Sequence, residues 1–579
     1  MNLRIALAQN RIKKGKTADN LAQVEEICLK AYEDHADVLV LPRMCLSGYG
    51  LADDWFNQDL INSLDNYNDY LRKLSTPFTL IWGNVLVEDG HLYDGVFCAH
   101  KGKIIYKRVK RIIKPNNIYH EERYFETKNE KLETIEIEGH KLAILMLEEM
   151  FDDSIFQEAL ALKPEELIVL GHKYWTKDNE NIVDQRIENL AGEYILPTID
   201  YLNFVGLQNI GKSFYMNDGK SAVYENGRRV LTLSDDFTSD YALTCDRIHQ
   251  YKPNCSKLLN CLVKSIEYFD EEMFDKKTKW IIGLSGGLDS SITAVILKLA
   301  LGPEKIVAYN LASQYNSKET KNNAKQLAEK LKIELRNGSI SSVYDASIKT
   351  IQEYGYDDID TLTKENIQAR IRGHLLASFA QIEHGVIINN GNKVEVAMGY
   401  ATLYGDTIGT FSPIGDLFKV ELFKLAHEIN AYFNDEIISE RLLPKVNEYQ
   451  MKWDMAPSAE LRSQQTDPMK WYYHDLLIEY LLNAQNRVTD LLQSYIDGSI
   501  YNTELGLWLK FYHLDKGPTF IEDLEWVMKQ LKFSTFKRLQ MPPVLIVSEI
   551  GFGDGRIESQ GLIDEAKLYQ ELKQRILTM

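Results

Sequence analysis

Apolar and polar positions alternate along the chain in a way that predicts strands and helices in turn. "LRIALAQN" reads as a strand, "KTADNLAQVEEICLKAYEDHA" as a helix with a polar start, and "DVLVLPR" as a buried strand closed by Pro42. "TLIWGNVLVEDGHLYDGVFCAHKGKIIYK" follows as a set of strands punctuated by "EDG" and "HKGK" turns. "KLAILML" and "ELIVLGH" are further buried runs, and "FVGLQNIG", "SAVYENGRRVLTL" and "DYALTC" close this part of the pattern, which is that of a layered α/β domain. Next comes a polar-flanked helix, "YKPNCSKLLNCLVKSIEYFDEEMFDKKTK", whose Pro253 places a linker at about 246–255. Two domains are expected, 1–250 and 251–579. In the second, "KWIIGLSGGLDSSITAVILKLALG" reads as strand, tight loop and helix. "KIVAYNLASQYNSKETKNNAKQLAEKLKI" repeats the strand and helix, the βαβ pattern that gathers ligands at the carboxyl ends of parallel strands. Residues 484–531 read as helical and carry no chemical signal.

At 579 residues the chain exceeds one ordinary core, and 45% hydrophobic with 26% charged residues is the composition of a globular protein. The net charge, 66 − 84 = −18, argues against nucleic acid as a partner. The basic run "YKRVKRIIK" at 106–114 is expected to be a solvated strand face. No apolar run approaches the roughly 18 residues of a membrane helix, and "MNLRIALAQN" enters a strand directly, so no membrane association and a cytoplasmic location are expected. The six cysteines form no CxxC pair, which removes the usual zinc and disulfide frameworks.

The loop Leu284, Ser285, Gly286, Gly287, Leu288, Asp289, Ser290 and Ser291 is the stretch richest in chemistry. Its glycines let successive N–H groups turn toward one point, and the following helix aims its positive dipole end at the same point. The serines add hydroxyl donors, and Asp289 offers a carboxylate to a phosphate-bound Mg²⁺. A polyphosphate is the expected guest. No Gly-Lys-Ser/Thr follows, so this is not a Walker loop.

"SGGLDSS" resembles the signature of ATP pyrophosphatases, which split ATP into AMP and pyrophosphate to activate a carboxyl or carbonyl group. Blocks further on narrow the resemblance to NAD synthetases, over about 258–556. "ENIQARIRGHLLA" places Asn366 and Arg370, four apart, on one face of a helix that in the family faces deamido-NAD. "NNGNKVEVAMGYATLYGD" carries Asn390 where relatives have an ATP-touching Thr, Glu395 at a Mg²⁺- or substrate-contacting position, and Tyr400, Thr402, Tyr404 and Asp406 in the substrate loop. "FSPIGDLFKVELFKLA" puts Lys419 at the phosphates, and "APSAELRSQQTD" puts Ser458 over the pyrophosphate, with Pro468 where relatives carry Glu. "FKRLQMPPVLIVSEIGFGDGR" makes Lys537 a substrate contact, and "ASQYNS" keeps Ser313 and Ser317 of a further ATP-contacting stretch.

Residues 3–245 resemble the nitrilase, or carbon–nitrogen hydrolase, domain fused to glutamine-dependent NAD synthetases. The blocks are "LVLPRMCLSGYG", "KRIIKPNNIYHEERYF" and "LAILMLEEMF". The family's general-base Glu, oxyanion-steadying Lys and nucleophilic Cys fall on Arg43, Lys110 and Leu147. Only the lysine survives. A leucine is no nucleophile, and a guanidinium with a pKa above about 12 accepts no proton at neutral pH. Arg43 is expected to pair with Glu121 or Glu148. Cys45, taken to share Arg43's side of a strand end, is the substitute nucleophile to consider.

The resemblance implies an N-terminal nitrilase-like α-β-β-α sandwich, catalytically inactive, and a C-terminal doubly wound parallel-sheet ATP pyrophosphatase domain. It implies amidation of deamido-NAD to NAD through an acyl adenylate, using ATP, Mg²⁺ held by Asp289 and Glu395, and ammonia taken free or from a separate source. Asp289, Lys419 and Ser458 would be catalytic. A homo-oligomer is expected by the same likeness. Two alternatives stand beside it: an amide ligase acting on another carboxylate such as nicotinate mononucleotide, with Asn390, Val394, Pro468 and "WYYH" at 471–474 as the departures that favour it, and glutamine use through a substitute nucleophile.

Overall fold

The computed structural model describes residues 3–114, 119–246, 255–313, 315, 317–458, 460–462, 467–483, 485–553 and 566–579. The chain forms two compact units, one of Met1–Ile210 with Phe214–Cys261 and one of Gly211–Ser213 with Leu262–Met579. The expected boundary at 250/251, and most of the expected linker, lie outside the described residues.

In the front unit the order is β1 (Ile5–Gln9), α1 (Thr17–Glu33), β2 (Val38–Val40), α2 (Gln58–Leu74), β3 (Thr79–Glu88), β4 (His91–His100) and β5 (Lys103–Val109). Then come β6 (Ile135–Ile137), β7 (His140–Met146), α3 (Leu147–Met150), α4 (Asp153–Ala161), β8 (Glu166–Leu170), α5 (Ile182–Glu193) and β9 (Thr198–Leu202). After β10 (Val205–Ile210) and β11 (Ser213–Asp218), which lie outside the two main sheets, follow β12 (Ala222–Glu225), β13 (Arg228–Thr232) and β14 (Asp240–Leu243). One six-stranded sheet runs β14-β1-β2-β3-β4-β5 and the other β13-β12-β9-β8-β7-β6. The period of two puts Ile5, Leu7, Val38 and Val40 of the first sheet against Leu142, Ile144, Ile168 and Leu170 of the second, while Ala143, Leu145, Leu167 and Val169 turn outward to α4 and α5. This is an α-β-β-α sandwich, as expected.

The basic run does not form a solvated face. Arg108 and Lys110 are buried because each meets a carboxylate, Arg108 donating to Glu149 at 2.8 Å and Lys110 to Glu148 at 2.9 Å. A strand whose alternate residues point inward buries whatever it carries there, and paired charge is tolerated.

The rear unit takes up α6 (Lys257–Met273) from residue 262 and continues with β15 (Lys279–Gly283), α7 (Leu288–Leu301), β16 (Ile306–Ala312), α8 (Lys318–Leu331) and β17 (Glu334–Ser339). α9 (Ser341–Glu353), α10 (Thr361–Ile382), β18 (Gly385–Ile387), α11 (Lys393–Met398) and α12 (Lys419–Phe433) follow. Four parallel strands run in the order β17-β16-β15-β18. The chain moves outward from β15 to β17 and then returns to the other side of β15, so the strand order reverses beside β15. The carboxyl end of that strand is where open α/β sheets bind ligands. Among the described residues no helix is long and apolar enough to cross a membrane.

Candidate functional site

The loop between β15 and α7 lies at this reversal and is held from both neighbouring strands. Asn310, in β16, donates to the Leu284 carbonyl at 2.9 Å, and Asn390, just past β18, donates to the Gly283 carbonyl at 3.0 Å. Gly286 takes a φ of +88°, and a Cβ there would stand 2.0 Å from the Thr320 carbonyl oxygen of α8, so only glycine fits. Ser285 and Ser290 hydroxyls lie 3.1 Å apart, and the Ser291 hydroxyl donates back to Gly287 O at 2.7 Å.

Asp289, in the first turn of α7, is gripped on both oxygens. Lys419 reaches Oδ1 at 2.6 Å, and Asn392 donates to Oδ2 at 2.8 Å. Asn392 also caps α11, accepting from the Glu395 N–H at 3.1 Å while the Glu395 carboxylate accepts from the Asn392 N–H at 3.5 Å. Burial, then the charge of Asp289, push the Glu395 carboxyl well above its ordinary range, whereas Asp289 and Glu395 hold the Lys419 ammonium charged against the cost of its burial. Burial likewise pushes the Asp406 carboxyl up to about 6 and draws Arg372 down to about 10.

These groups face a cleft of about 370 Å³. Of the expected residues it is lined by Leu284, Ser285, Gly287, Leu288, Asp289, Ser290, Asn390, Glu395, Tyr400, Asp406, Lys419 and Ser458. Gly286 and Ser291 stand behind it as backbone supports. Among the described residues five carboxylates (Asp289, Glu395, Asp406, Glu460, Asp467) and two bases (Arg372, Lys419) line it, a balance under which a polyphosphate needs cationic company to enter. Glu395, raised first by burial and then by the charge of Asp289, and Asp289 itself are carboxylate oxygen donors of the type that suits a Mg²⁺ also bound to phosphate oxygens. No cluster of three His, Cys, Asp or Glu metal donors occurs among the described residues.

Other expected contacts do not line the cleft. Asn366 accepts from the Thr402 hydroxyl at 2.7 Å, Arg370 donates to Leu403 O at 3.3 Å, and Tyr404 is 68% exposed. Lys537 donates to the carbonyls of Gly399 and Ala401, both at 2.7 Å, bracing the 399–406 turn. Glu460 lies against α8. Ser317 caps α8, accepting from the Thr320 N–H at 3.1 Å, and the Thr320 hydroxyl donates to Glu460 at 2.9 Å. Asn310, Asn392 and Glu460 escaped the sequence reading; the only signal for them was proximity to the motifs.

A second constellation lies in the front unit. Arg43 is fully buried, ion-paired with Asp94 of β4 and, at 2.9 Å, with Glu148 of α3. Lys110 pairs with Glu121 and Glu148, and the Tyr49 hydroxyl donates to Asp94 at 3.0 Å. Glu148 is the expected partner of Arg43; Glu121 is not, because Lys110 takes it and Asp94 completes the guanidinium. Burial raises the Glu121 carboxyl, while Glu148, which burial alone would also raise, is held well below the usual range by Arg43 and Lys110. Leu147, next to Glu148, is buried with the α4–α5 core. Residues 43–47 form a turn with Met44 at φ +46°, not a strand end, so strand alternation does not place Cys45 beside Arg43. Its thiol is fully buried, and burial pushes its pKa up to about 12.

Residues 260–499 match the family described as NAD synthase, and residues 4–186 the family described as Carbon-nitrogen hydrolase. Glutamine-dependent NAD(+) synthetases are among the similar curated proteins. That of Aquifex aeolicus is 27% identical over 549 residues, covering 87% of this chain and 91% of the relative, and that of Thermotoga maritima is 28% identical over 529 residues, covering 83% and 88%. Among solved structures, a glutamine-dependent NAD(+) synthetase from Cytophaga hutchinsonii superposes with a TM-score of 0.76 at 14% identity over 100% of both chains. One from Acinetobacter baumannii, in complex with adenosine diphosphate, gives 0.69 at 21% identity over 95% and 97%. Both structural likenesses concern the fold.

Proposed function

Taking the chain as a two-domain NAD synthetase, a carbon–nitrogen hydrolase domain followed by an NAD synthase domain, we propose that its rear unit amidates deamido-NAD with ammonia that its front unit does not make. The nicotinate carboxylate attacks the α-phosphorus of ATP, pyrophosphate leaves toward the 285–291 loop, and ammonia attacks the acyl adenylate carbon and expels AMP. No protein nucleophile is needed. The chain contributes positioning and charge: loop N–H groups and serine hydroxyls receive phosphate oxygens, Lys419 is placed to neutralise charge as pyrophosphate departs, and Ser458 covers the cleft. Asp289 and Glu395 would hold Mg²⁺, which when bound offsets phosphate charge. Asn366, Arg370, Tyr404 and Lys537, outside the cleft, shape the substrate turn at 399–406 on this reading.

The observation that carries the adenylation reading is the grip on Asp289 by Lys419 and Asn392 at the reversal of strand order. For the nitrogen source it is Arg43 locked between Asp94 and Glu148 where a general base would be required. Cys45 does not rescue hydrolysis, since a thiol with a pKa near 12 is almost wholly protonated at neutral pH. Incubation with ATP, Mg²⁺, deamido-NAD and ammonium is expected to yield NAD, AMP and pyrophosphate in equal amounts. Nicotinate mononucleotide in place of deamido-NAD tests the rival acceptor, and faster turnover with it would replace this reading. Of the departures that favoured the rival, Asn390 lines the cleft, whereas Val394 is fully buried. Assembly as a homo-oligomer belongs to the same proposal and is checked by light scattering.

A further inference from the structure

The two groups that grip Asp289 come from separate segments, Asn392 at the N-terminal cap of α11 and Lys419 at the start of α12. Asp289 joins them from inside the cleft, and a buried trio joins the same segments from behind it. Lys393 lies next to Asn392 and is 2% exposed; its ammonium stands 2.8 Å from Asp416 Oδ1, which is fully buried and three residues before Lys419. The same ammonium donates to the Ser548 hydroxyl at 2.9 Å and to the Ile550 carbonyl at 2.5 Å. Ser548 donates from its hydroxyl to Asp416 Oδ2 at 2.8 Å, and that oxygen also accepts the N–H groups of Val547 and Ser548, each at 2.8 Å. The Lys393 N–H completes the tie by donating to Leu417 O at 2.9 Å. None of the three side chains is among those lining the cleft.

We propose that Lys393, Asp416 and Ser548 form a positioning clip that sets the register of α11 against α12, making residues 546–550 part of the adenylation machinery, an inference resting on the adenylation reading of the cleft. A buried ion pair is a poor source of net stability compared with apolar packing, and its best-attested use is to fix one register among several. Here the two charges sit one and three residues from the two groups that hold Asp289. A slip of one partner moves Asn392 or Lys419 away from the carboxylate. The Ser548 hydroxyl touches both charges and is the part that can be removed without leaving either unpaired.

The test is the Mg²⁺ concentration giving half-maximal deamido-NAD-dependent exchange of pyrophosphate into ATP, with the same midpoint read from calorimetric ATP binding at limiting Mg²⁺. Ser548→Ala is expected to raise both midpoints about fivefold, the equivalent of one lost hydrogen bond. Leu545→Ala removes a fully buried side chain from the same segment without touching the clip. It is expected to lower the thermal midpoint while leaving the Mg²⁺ midpoint in place. A Ser548→Ala shift below twofold, or an equal shift in Leu545→Ala, overturns the clip. If the parent chain exchanges no pyrophosphate, the proposed function fails instead, and the calorimetric midpoint alone judges the clip by the same twofold limit.

Discussion

Asp289 shows how much the proposed site depends on the neighbours of one side chain. Its carboxylate is useful because Lys419 and Asn392 hold both oxygens, leaving the charge pointed and the geometry fixed. Asp289→Asn keeps the size and the contact with Asn392 but removes the charge facing Lys419. Pyrophosphate release at fixed Mg²⁺ is expected to fall on the order of a hundredfold to a thousandfold. In the front unit, Arg43→Leu leaves the buried Asp94 without its cation, while Glu148 keeps Lys110. Calorimetry should show it destabilised by about 3–5 kcal/mol, the cost of unpairing buried charge, with ammonium-dependent turnover unchanged at temperatures where it stays folded. Cys45→Ala is expected to change neither nitrogen preference nor rate.

Among elements, the strand–loop–helix around Ser285–Ser291 was the most legible in the sequence, because a glycine pair, serines and an aspartate behind an apolar run have few other structural uses. Gly286 explains why: Gly286→Ala would drive a methyl group into the Thr320 carbonyl. ATP turnover is expected to drop about a hundredfold through misplaced loop N–H groups, with the front unit's thermal transition unmoved. Less legible was the run at 106–114, where alternation was visible but the buried partners Glu148 and Glu149 lay about forty residues away. Equally hidden was the turn at 43–47, since a left-handed Met44 has no composition signal. The helix Tyr473–Leu482 offers a pH test. Its Asp475 accepts the N–H groups of Tyr472 at 2.9 Å and Val420 at 3.1 Å, yet burial pushes its carboxyl up to about 6. The folded pKa exceeds the unfolded value of about 3.9, so the folded state binds the proton more tightly. That stability is full at low pH and lost as pH rises through about 6. Asp475→Asn should therefore gain on the parent between about pH 3 and pH 7, by up to about 3 kcal/mol, read as converging or crossing thermal midpoints.

At the scale of the whole molecule, periodicity and the order of motifs conveyed two α/β units, because strand alternation and the βαβ repeat are local properties. What they did not convey was which side chains meet. Lys110 was found as a motif residue, but its shared hold on Glu148 with Arg43 depends on β5, α3 and the turn after β2 converging. Asn366, Arg370 and Lys537 are legible too, yet each hydrogen-bonds to a residue of the 399–406 turn. On the proposed reading the two halves make opposite claims about one reaction, the rear cleft supplying the groups for adenylation while the front cluster is filled with paired charge. NAD formation by the full chain, with ATP, Mg²⁺ and deamido-NAD and either ammonium or glutamine as the only nitrogen source, tests both at once. Turnover with ammonium and none with glutamine is the expected result; turnover with glutamine in an ammonia-free preparation would contradict it.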